Sequence, residues 1–327
     1  MKNLSILIAL LFTFGLFYMD CQDANSPVDN NLTGDNLSKK TTIWKVPGDF
    51  ATINDALVSS DVLPGHTILV GPGNFAGAFV SKSVTIKGVG KAIIDSGPAH
   101  GSGLIMGFRF LAGSDGATIS NLAFTTDLSI MNGAAVNNVT IDDCTFLNSV
   151  QAISNWRGNG WNIHHNVIKD LRTRNGGGIG ILVGDYLGGT VKDNQVSHNK
   201  ISGMLAVFSA DGGGYDGSGI VLYADFRSGS AGAEAIKDNF VTHNTISLVS
   251  NNSTVVDVNA FELTDSRDDI NAVPFPVLFD NSIGFNDFRG TANQILLTPL
   301  ELGDYNYIDR NLGDNRGHGL HPSFFKP

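Results

Sequence analysis

The sequence predicts an all-β solenoid in which one chain winds through stacked parallel coils, with a short helix at its N-terminal end. Two observations support this prediction. The 39 glycines among the 327 residues are spread between short runs of Val, Ile, Leu and Phe, a composition that suits tight turns between short strands. A six-residue pattern with an Asn at a fixed position also recurs along the chain, as expected of a repeat architecture.

An N-terminal cap is predicted over residues 44–62. Thr52 precedes Ile53, Ala56 and Leu57, so a residue type common at the helix N-cap comes directly before apolar residues with helical spacing. This short helix would cover the open end of the stack. Strand patterns bounded by glycines follow it over residues 65–70 and 83–88.

Four segments of this region carry a family resemblance. Residues 50–57, 65–70, 72–75 and 84–88 resemble the N-terminal cap and first coils of the pectate-lyase-like (pectin lyase-like) superfamily. The resemblance implies a right-handed parallel β-helix, here a single-stranded one that occupies residues 42–327. It implies nothing about the reaction, because the catalytic motifs of pectin methylesterases, polygalacturonases and mannuronan epimerases have no complete counterpart in this chain.

The repeat supports the same fold independently. An apolar residue, two variable residues, Asn, one variable residue and an apolar residue recur around Asn166, Asn199, Asn244 and Asn286, with Cys144 in the Asn position of an earlier copy. Each Asn is expected to sit at a bend and bond to the Asn of the next coil, forming a ladder in which Cys144 is a buried structural thiol. The 22 residues from 144 to 166 fit one coil. The later, longer steps indicate either protruding loops or intervening coils without the motif.

The termini predict export. Residues 1–20 have the short apolar run of a signal peptide, and residues 21–41 are polar and read as a flexible tether. Cys21 directly after the signal peptide is a candidate for a lipid anchor. We therefore expect a cell-surface, periplasmic, outer-membrane-lipoprotein or secreted location without a transmembrane segment. A C-terminal cap is expected over about residues 304–327.

The charge limits the class of partner. A formal net charge of −10 argues against binding nucleic acid, which requires a basic surface. It leaves open a polysaccharide, including an acidic one received by a local basic cluster or a bound cation. A monomer is expected.

A second pattern places Asp185, Asp225 and Asp265 at intervals of 40 residues, which predicts one file of carboxylates on related coils. Three readings stay open for this file. A bound cation, for which calcium is the expected identity, could neutralise it. Cationic side chains could do so instead, or the aspartates could be solvated and make local turn hydrogen bonds. No cofactor is otherwise indicated.

Two classes of function follow from these patterns. The first is a polysaccharide lyase-like enzyme acting by β-elimination. Arg227, Arg267 or a cation on Asp225 and Asp265 would neutralise a uronate, and Lys237, His198 or His243 would act as the base. A hydrolase using Glu262 with Asp265 or Asp225 is a further variant. The second class is a non-catalytic glycan-binding or surface scaffold protein. Tyr186, Tyr223 and Phe226 are candidate sugar-stacking residues for either class.

The histidines before the ladder positions, His165, His198 and His243, are not expected to bind zinc. The repeat would hold them in a line, and no Cys or second His lies at ligand spacing in sequence.

Overall fold

The protein is a right-handed parallel β-helix. The computed structural model describes residues 42–174, 178–208, 217–226, 233–267 and 276–321. All strand pairings in the four sheets are parallel, and each strand pairs with the equivalent strand of the coils before and after it. The predicted signal peptide, tether and Cys21 lie outside the described residues, as does the end of the predicted C-terminal cap. No helix in the described part of the chain is long and apolar enough to cross a membrane.

Three sheets run the length of the stack, and the fourth is short. Sheet A contains ten strands, β1 (Ile43–Val46), β2 (Thr67–Val70), β5 (Thr85–Gly88), β8 (Thr118–Ser120), β11 (Thr140–Asp142), β14 (Asn162–His164), β18 (Gln195–Ser197), β22 (Phe240–Thr242), β26 (Ser282–Gly284) and β28 (Tyr307–Asp309). Sheet B contains seven, β3 (Gly73–Ala76), β6 (Ala92–Ser96), β9 (Ala123–Phe124), β12 (Thr145–Ser149), β15 (Val167–Arg172), β19 (Lys200–Ala206) and β23 (Thr245–Ser250).

Sheet C contains eight strands, β4 (Phe79–Val80), β7 (Met106–Phe110), β10 (Leu128–Asn132), β13 (Gln151–Trp156), β16 (Ile179–Asp185), β20 (Gly217–Ala224), β24 (Val258–Asp265) and β27 (Asn293–Thr298). Sheet D contains only β17 (Thr190–Lys192), β21 (Ala235–Lys237) and β25 (Leu278–Phe279). A 3₁₀ helix (Leu300–Tyr305) follows β27.

The N-terminal helix is present as predicted. Helix α1 (Ile53–Val58) begins after Thr52, whose hydroxyl accepts from Asp55 N while the Asp55 carboxylate accepts from Thr52 N. This reciprocal capping satisfies two backbone N–H groups that a helix start otherwise leaves unpaired. Ile53 and Leu57 are buried, so the apolar face of the helix packs onto the core at the first coils.

The repeat motifs lie in neighbouring coils despite their unequal spacing. Ile141, Ile163, Val196, Val241 and Ile283 are successive partners in sheet A. The longer steps therefore arise from additional residues between the sheets, and no coil intervenes. Part of this additional chain forms sheet D, and a second set of asparagines, Asn194, Asn239 and Asn281, follows its three strands.

Two ladders of buried asparagines line the corners between sheets. In the first, the Nδ2 atoms of Asn166, Asn199, Asn244 and Asn286 donate to Oδ1 of the next Asn at 2.9–3.0 Å. Asn311, the last of these acceptors, donates in turn to Asn315 Oδ1. The second runs through Asn194, Asn239, Asn281 and Asn306 with distances of 2.8–2.9 Å. Each Oδ1 also accepts from the backbone N–H of the preceding Asn, so the amides satisfy polar groups that the bends would otherwise leave buried and unpaired.

Cys144 occupies the ladder position before Asn166, as predicted. Its backbone N–H donates to Asn166 Oδ1 at 3.0 Å, and its side chain is 1% exposed. Burial raises the pKa of the Cys144 thiol to about 12, while backbone hydrogen bonds from Leu122 and Asn121 oppose that shift. The thiol thus takes the place of an Asn side chain in the ladder, where it donates to Ile119 O at 3.9 Å and to Asp142 O at 3.3 Å.

Candidate functional site

The three aspartates do not form the single file that their spacing predicts. Asp185 is paired in register with Ala224, and Ala224 is paired with Asp265. Asp225 is therefore displaced by one residue, and since side chains alternate between the two faces of a strand, it does not continue the column. The physical reason is that the steps between paired strands are unequal, so equal spacing in sequence does not give equal register.

Asp185 and Asp265 are buried, with 0% and 2% exposure, and each is satisfied locally. The Asp185 carboxylate accepts from the backbone N–H groups of Leu187 and Gly189, and Arg157 Nε lies 3.4 Å away. Asp265 accepts from Arg267 N and forms a two-oxygen ion pair with the Arg267 guanidinium. These contacts match the reading with turn hydrogen bonds and cationic partners, although the carboxylates are buried instead of solvated.

The candidate bases and cations from the sequence lie on different walls of the helix. Lys237 ends β21 in sheet D, with Nζ 3.4 Å from Asp238 Oδ2. His243 lies at the corner between sheets A and B, whereas Arg267 follows β24 of sheet C. The Arg267 guanidinium lies 4.9 Å from the ring centre of Phe226, so Phe226 contacts a cation and packs against the core. Arg227 lies outside the described residues.

The histidines form a stack along the corner between sheets A and B. The rings of His165, His198, His243 and Phe285 follow one another at 5.2, 4.9 and 5.2 Å between centres. All four residues have φ between 55° and 61°, the left-handed conformation that turns the chain before each ladder position. Burial, followed by repulsion from His243 and His165, lowers the pKa of His198.

An aromatic cluster lies on the outer face of sheet C. Trp156 contacts Tyr186 and Tyr223 edge to face, with ring centres 5.3 and 6.1 Å apart. All three residues are partly exposed. Trp156, Gly184 and Tyr223 are register partners on three successive coils, so the glycine leaves room between the two rings. We call Trp156, Tyr186 and Tyr223 the aromatic surface.

Glu262 lies on the same outer face, one coil beyond Tyr223. Its carboxylate accepts from Thr264 Oγ1 at 2.5 Å and from Ser218 Oγ. Thr264 is the register partner of Tyr223, which places the carboxylate and its hydroxyl donors at one end of the aromatic surface. The two hydroxyls hold Glu262 in one orientation.

Two arginines lie at the other end of the aromatic surface. Arg157 directly follows Trp156, and its side chain is 31% exposed. Arg109 lies across Gly133, since a Cβ at Gly133 would come within 2.6 Å of Arg109 Nε. Asn132, the residue before Gly133, accepts from Trp156 N through its Oδ1 at 2.6 Å. Arg109 lies on β7, two coils from Trp156 on β13, and its guanidinium reaches over Gly133 of the intervening coil. The Nε atoms of both arginines are buried without a hydrogen-bond partner among the described residues, although Arg157 Nε is within ion-pair distance of Asp185.

The structure thus brings together Tyr186, Tyr223 and Glu262 from the predicted residues and adds Trp156, Arg109 and Arg157. The sequence signal for the added residues is weak. Trp156 ends a strand whose equivalents carry Gly184, Tyr223 and Thr264, so no repeated residue type marks this column. The sequence indicates Trp156 only as an aromatic residue at an outward position of a strand with alternating apolar residues.

Comparisons with known proteins give likeness in fold only. No protein-family model matches the chain, and no curated protein matches it significantly. Among solved structures, the catalytic domain of a GH87 alpha-1,3-glucanase in complex with tetrasaccharides has a TM-score of 0.34 and 13% identity over 89% of this chain, which spans 65% of that domain. The same type of domain with nigerose gives 0.33 and 13%, over 86% of this chain and 71% of that one. The A-module of a mannuronan C-5 epimerase from Azotobacter vinelandii gives 0.32 and 15%, over 83% and 92%.

Proposed function

We propose that this β-helix is an exported carbohydrate-active protein that binds a polysaccharide along the outer face of sheet C. The observation that carries the proposal is the aromatic surface. Indole and phenol rings present flat apolar faces with a polar edge, a combination suited to the C–H face and hydroxyls of a sugar ring. Since the cluster spans successive coils, a chain molecule lying along the stack would contact more than one ring.

The arginines favour an acidic polysaccharide over a neutral one. Arg109 and Arg157 supply cationic groups beside Trp156, and their Nε–H donors have no hydrogen-bond acceptor among the described residues. An arginine guanidinium pairs well with a carboxylate because several donors lie in one plane. A uronate bound next to Trp156 would pair with the accessible part of the Arg157 or Arg109 guanidinium, since both side chains are partly exposed. Because the whole protein has a negative net charge, an acidic polysaccharide would be attracted only to such a local basic region.

Trp156→Ala is expected to weaken polysaccharide binding about tenfold or more, since loss of a central aromatic contact costs roughly 1.4 kcal/mol or above. The measurement is calorimetric titration of the full chain with pectate, alginate and a neutral glucan. Tyr305→Ala is the matched control, because Tyr305 is an exposed aromatic in the 3₁₀ helix after the last strand of sheet C, outside the aromatic surface. Equal affinities of wild type and Trp156→Ala, with both proteins folded, would refute the proposed location.

Arg109→Gln tests the acidic character of the ligand. We expect lower affinity for pectate or alginate and unchanged affinity for a neutral glucan, because only the ion pair is removed. The dependence of binding on salt should also decrease in the variant. If the variant binds all three polymers as the wild type does, Arg109 has no part in recognition.

The proposed reaction is β-elimination on the bound uronate. Arginine neutralisation of a uronate carboxylate would acidify the neighbouring C–H, and a base would have to remove that proton while the C4–O glycosidic bond breaks and the C4–C5 double bond forms. None of the candidate bases Lys237, His198 and His243 lies on this face, so the base would be another group. Hydrolysis is less favoured, because Glu262 would need a second carboxylate and Asp265 is already paired with Arg267. The test follows absorbance of the unsaturated product with each polymer, with and without calcium. Binding without product would establish the alternative, a glycan-binding scaffold.

A further inference from the structure

We propose that Asp142, His164 and His165 form a binding site for a divalent transition-metal ion of the zinc class. The site lies on the outer side of sheet A at the corner toward sheet B, away from the aromatic surface on sheet C. Asp142 ends β11 and His164 ends β14, the equivalent strand of the next coil. His165 is the corner residue that follows.

The ligand atoms are at distances that suit a metal ion. His164 Nδ1 lies 2.8 Å from Asp142 Oδ1 and 2.8 Å from His165 Nδ1, and the remaining side of the triangle is 3.6 Å. The centre of a triangle with these sides lies about 1.8 Å from each atom. An ion about 0.9 Å above the plane would therefore have all three ligands at about 2.0–2.1 Å, the usual zinc–nitrogen and zinc–oxygen distance.

The fold holds these ligands in place before any ion binds. Asp142 and His164 are direct register partners, which fixes the spacing of their side chains on the outer face. His165 has a φ of 55°, and its ring stacks on His198 at 5.2 Å. The next residue, Asn166, is fully buried in the first asparagine ladder. The turn that carries His165 is therefore anchored on both sides.

The electrostatics of the cluster also require a cation or a shared proton. Two imidazole nitrogens at 2.8 Å repel each other when both present lone pairs, and the Asp142 carboxylate adds a negative charge. One proton can bridge only one of the close pairs at a time. A metal ion accepts all three lone pairs together. Two imidazoles and one carboxylate favour zinc, cobalt, nickel or copper over calcium, which prefers sets of oxygen ligands.

Three ligands on an accessible surface leave room for a further one. The side chains of His165 and Asp142 are 56% and 29% exposed, so water or a ligand from outside can reach an ion held there. Three protein ligands with an open position are typical of zinc ions that are not purely structural. The stacked rings of His198 and His243 continue the corner but contribute no atom to this triangle.

The test is titration of the untagged, metal-free full chain with Co²⁺, followed by visible absorbance, and with Zn²⁺, followed by calorimetry. One equivalent is expected to bind, with Zn²⁺ displacing Co²⁺ and Ca²⁺ giving no signal. The variants Asp142→Ser and His164→Ser introduce the residue already present in the same column at Ser197. His165→Asn retains a residue type that accepts the left-handed turn. Each variant should weaken binding at least about tenfold, since loss of even an outer-shell partner costs that much.

His243→Asn is the matched control, because it removes a histidine from the same stack with the same left-handed backbone. It should bind Co²⁺ as the wild type does. An equal loss of binding in His243→Asn and His165→Asn would overturn the assignment in favour of chelation by the exposed stack. Wild-type affinity in Asp142→Ser, or absence of Co²⁺ binding at millimolar concentration, would likewise overturn it.

Discussion

Replacing Asn244 with Ala is expected to lower the free energy of unfolding by about 3 kcal/mol or more. The Asn244 side chain donates to Val196 O and Asn286 Oδ1 and accepts from the backbone and side-chain nitrogens of Asn199. Its removal leaves a buried N–H, a carbonyl and one amide hydrogen without partners, and each such group costs roughly 1 to 3 kcal/mol. Repair by water is restricted, since Asn244 is only 1% exposed.

The measurement is the urea midpoint of the full chain, with the slope of the transition checked for equality between proteins. Asn74→Ala makes the same chemical change at an exposed position of sheet B, where the loss should remain within about 0.5 kcal/mol. A similar midpoint for Asn244→Ala and Asn74→Ala would show that the ladder does not stabilise the stack. If only Asn244→Ala lowers the free energy of unfolding, the ladder contributes a large part of the stability of the packing between coils.

The ladder was predictable from sequence because its physical requirement is local. Each bend buries backbone groups, an Asn side chain can satisfy them, and the same bend recurs in every coil. Asn199, Asn244 and Asn286 therefore carry the same flanking apolar residues, and the contact between neighbouring copies follows from the winding of the chain. The unequal steps between the copies hid the coil length but did not alter which residues meet.

The prediction of a single aspartate file was wrong because no recurring residue marks the register of these strands, whereas the ladder Asn marks it in each coil. Ile181 is paired with Ile220, and Ile220 with Phe261, so the paired steps are unequal although Asp185, Asp225 and Asp265 are evenly spaced in sequence. Without a fixed landmark such as the ladder Asn, counting residues across a variable connection cannot establish register. Register on the outer face of sheet C, and with it the aromatic surface, required coordinates.

The histidine–aspartate cluster lies between these two cases. The step of 22 residues between Cys144 and Asn166 was identified as one coil, and the same step places Asp142 beside His164. The expectation that His165, His198 and His243 bind no zinc rests on their alignment along the stack and on the lack of a further ligand at the usual spacing in sequence. His164 belongs to the strand and His165 to the turn after it. Comparing only the histidines that precede the ladder positions therefore does not reveal that these two can share one ion.

The second large effect expected is a pH dependence of stability that comes from Cys144. Its folded pKa is raised from 9.0 to about 12, and burial is the main cause. In the unfolded chain the thiol loses its proton near pH 9, whereas in the folded chain it keeps the proton up to about pH 12. The unfolded state therefore binds fewer protons than the folded state over this window, and stability falls as pH rises through it, by about 1.4 kcal/mol by pH 10. Below about pH 8 the contribution of this thiol is nearly constant.

Cys144→Ala in a Cys21→Ser background isolates this term, because every other titrating group is shared with the Cys21→Ser reference. The difference in unfolding free energy between the two proteins should be constant from pH 7 to 8.5 and should then change in favour of the alanine variant as the pH rises to 10. Parallel stability curves over the whole range would mean that the thiol is not buried in the ladder.

The burial of Cys144 also predicts that a thiol reagent labels it only when the coil opens, so the labelling rate at pH 8 should increase with the denaturant concentration. Rapid labelling in native buffer would place the sulfur at the surface and remove the structural role that its position before Asn166 implies.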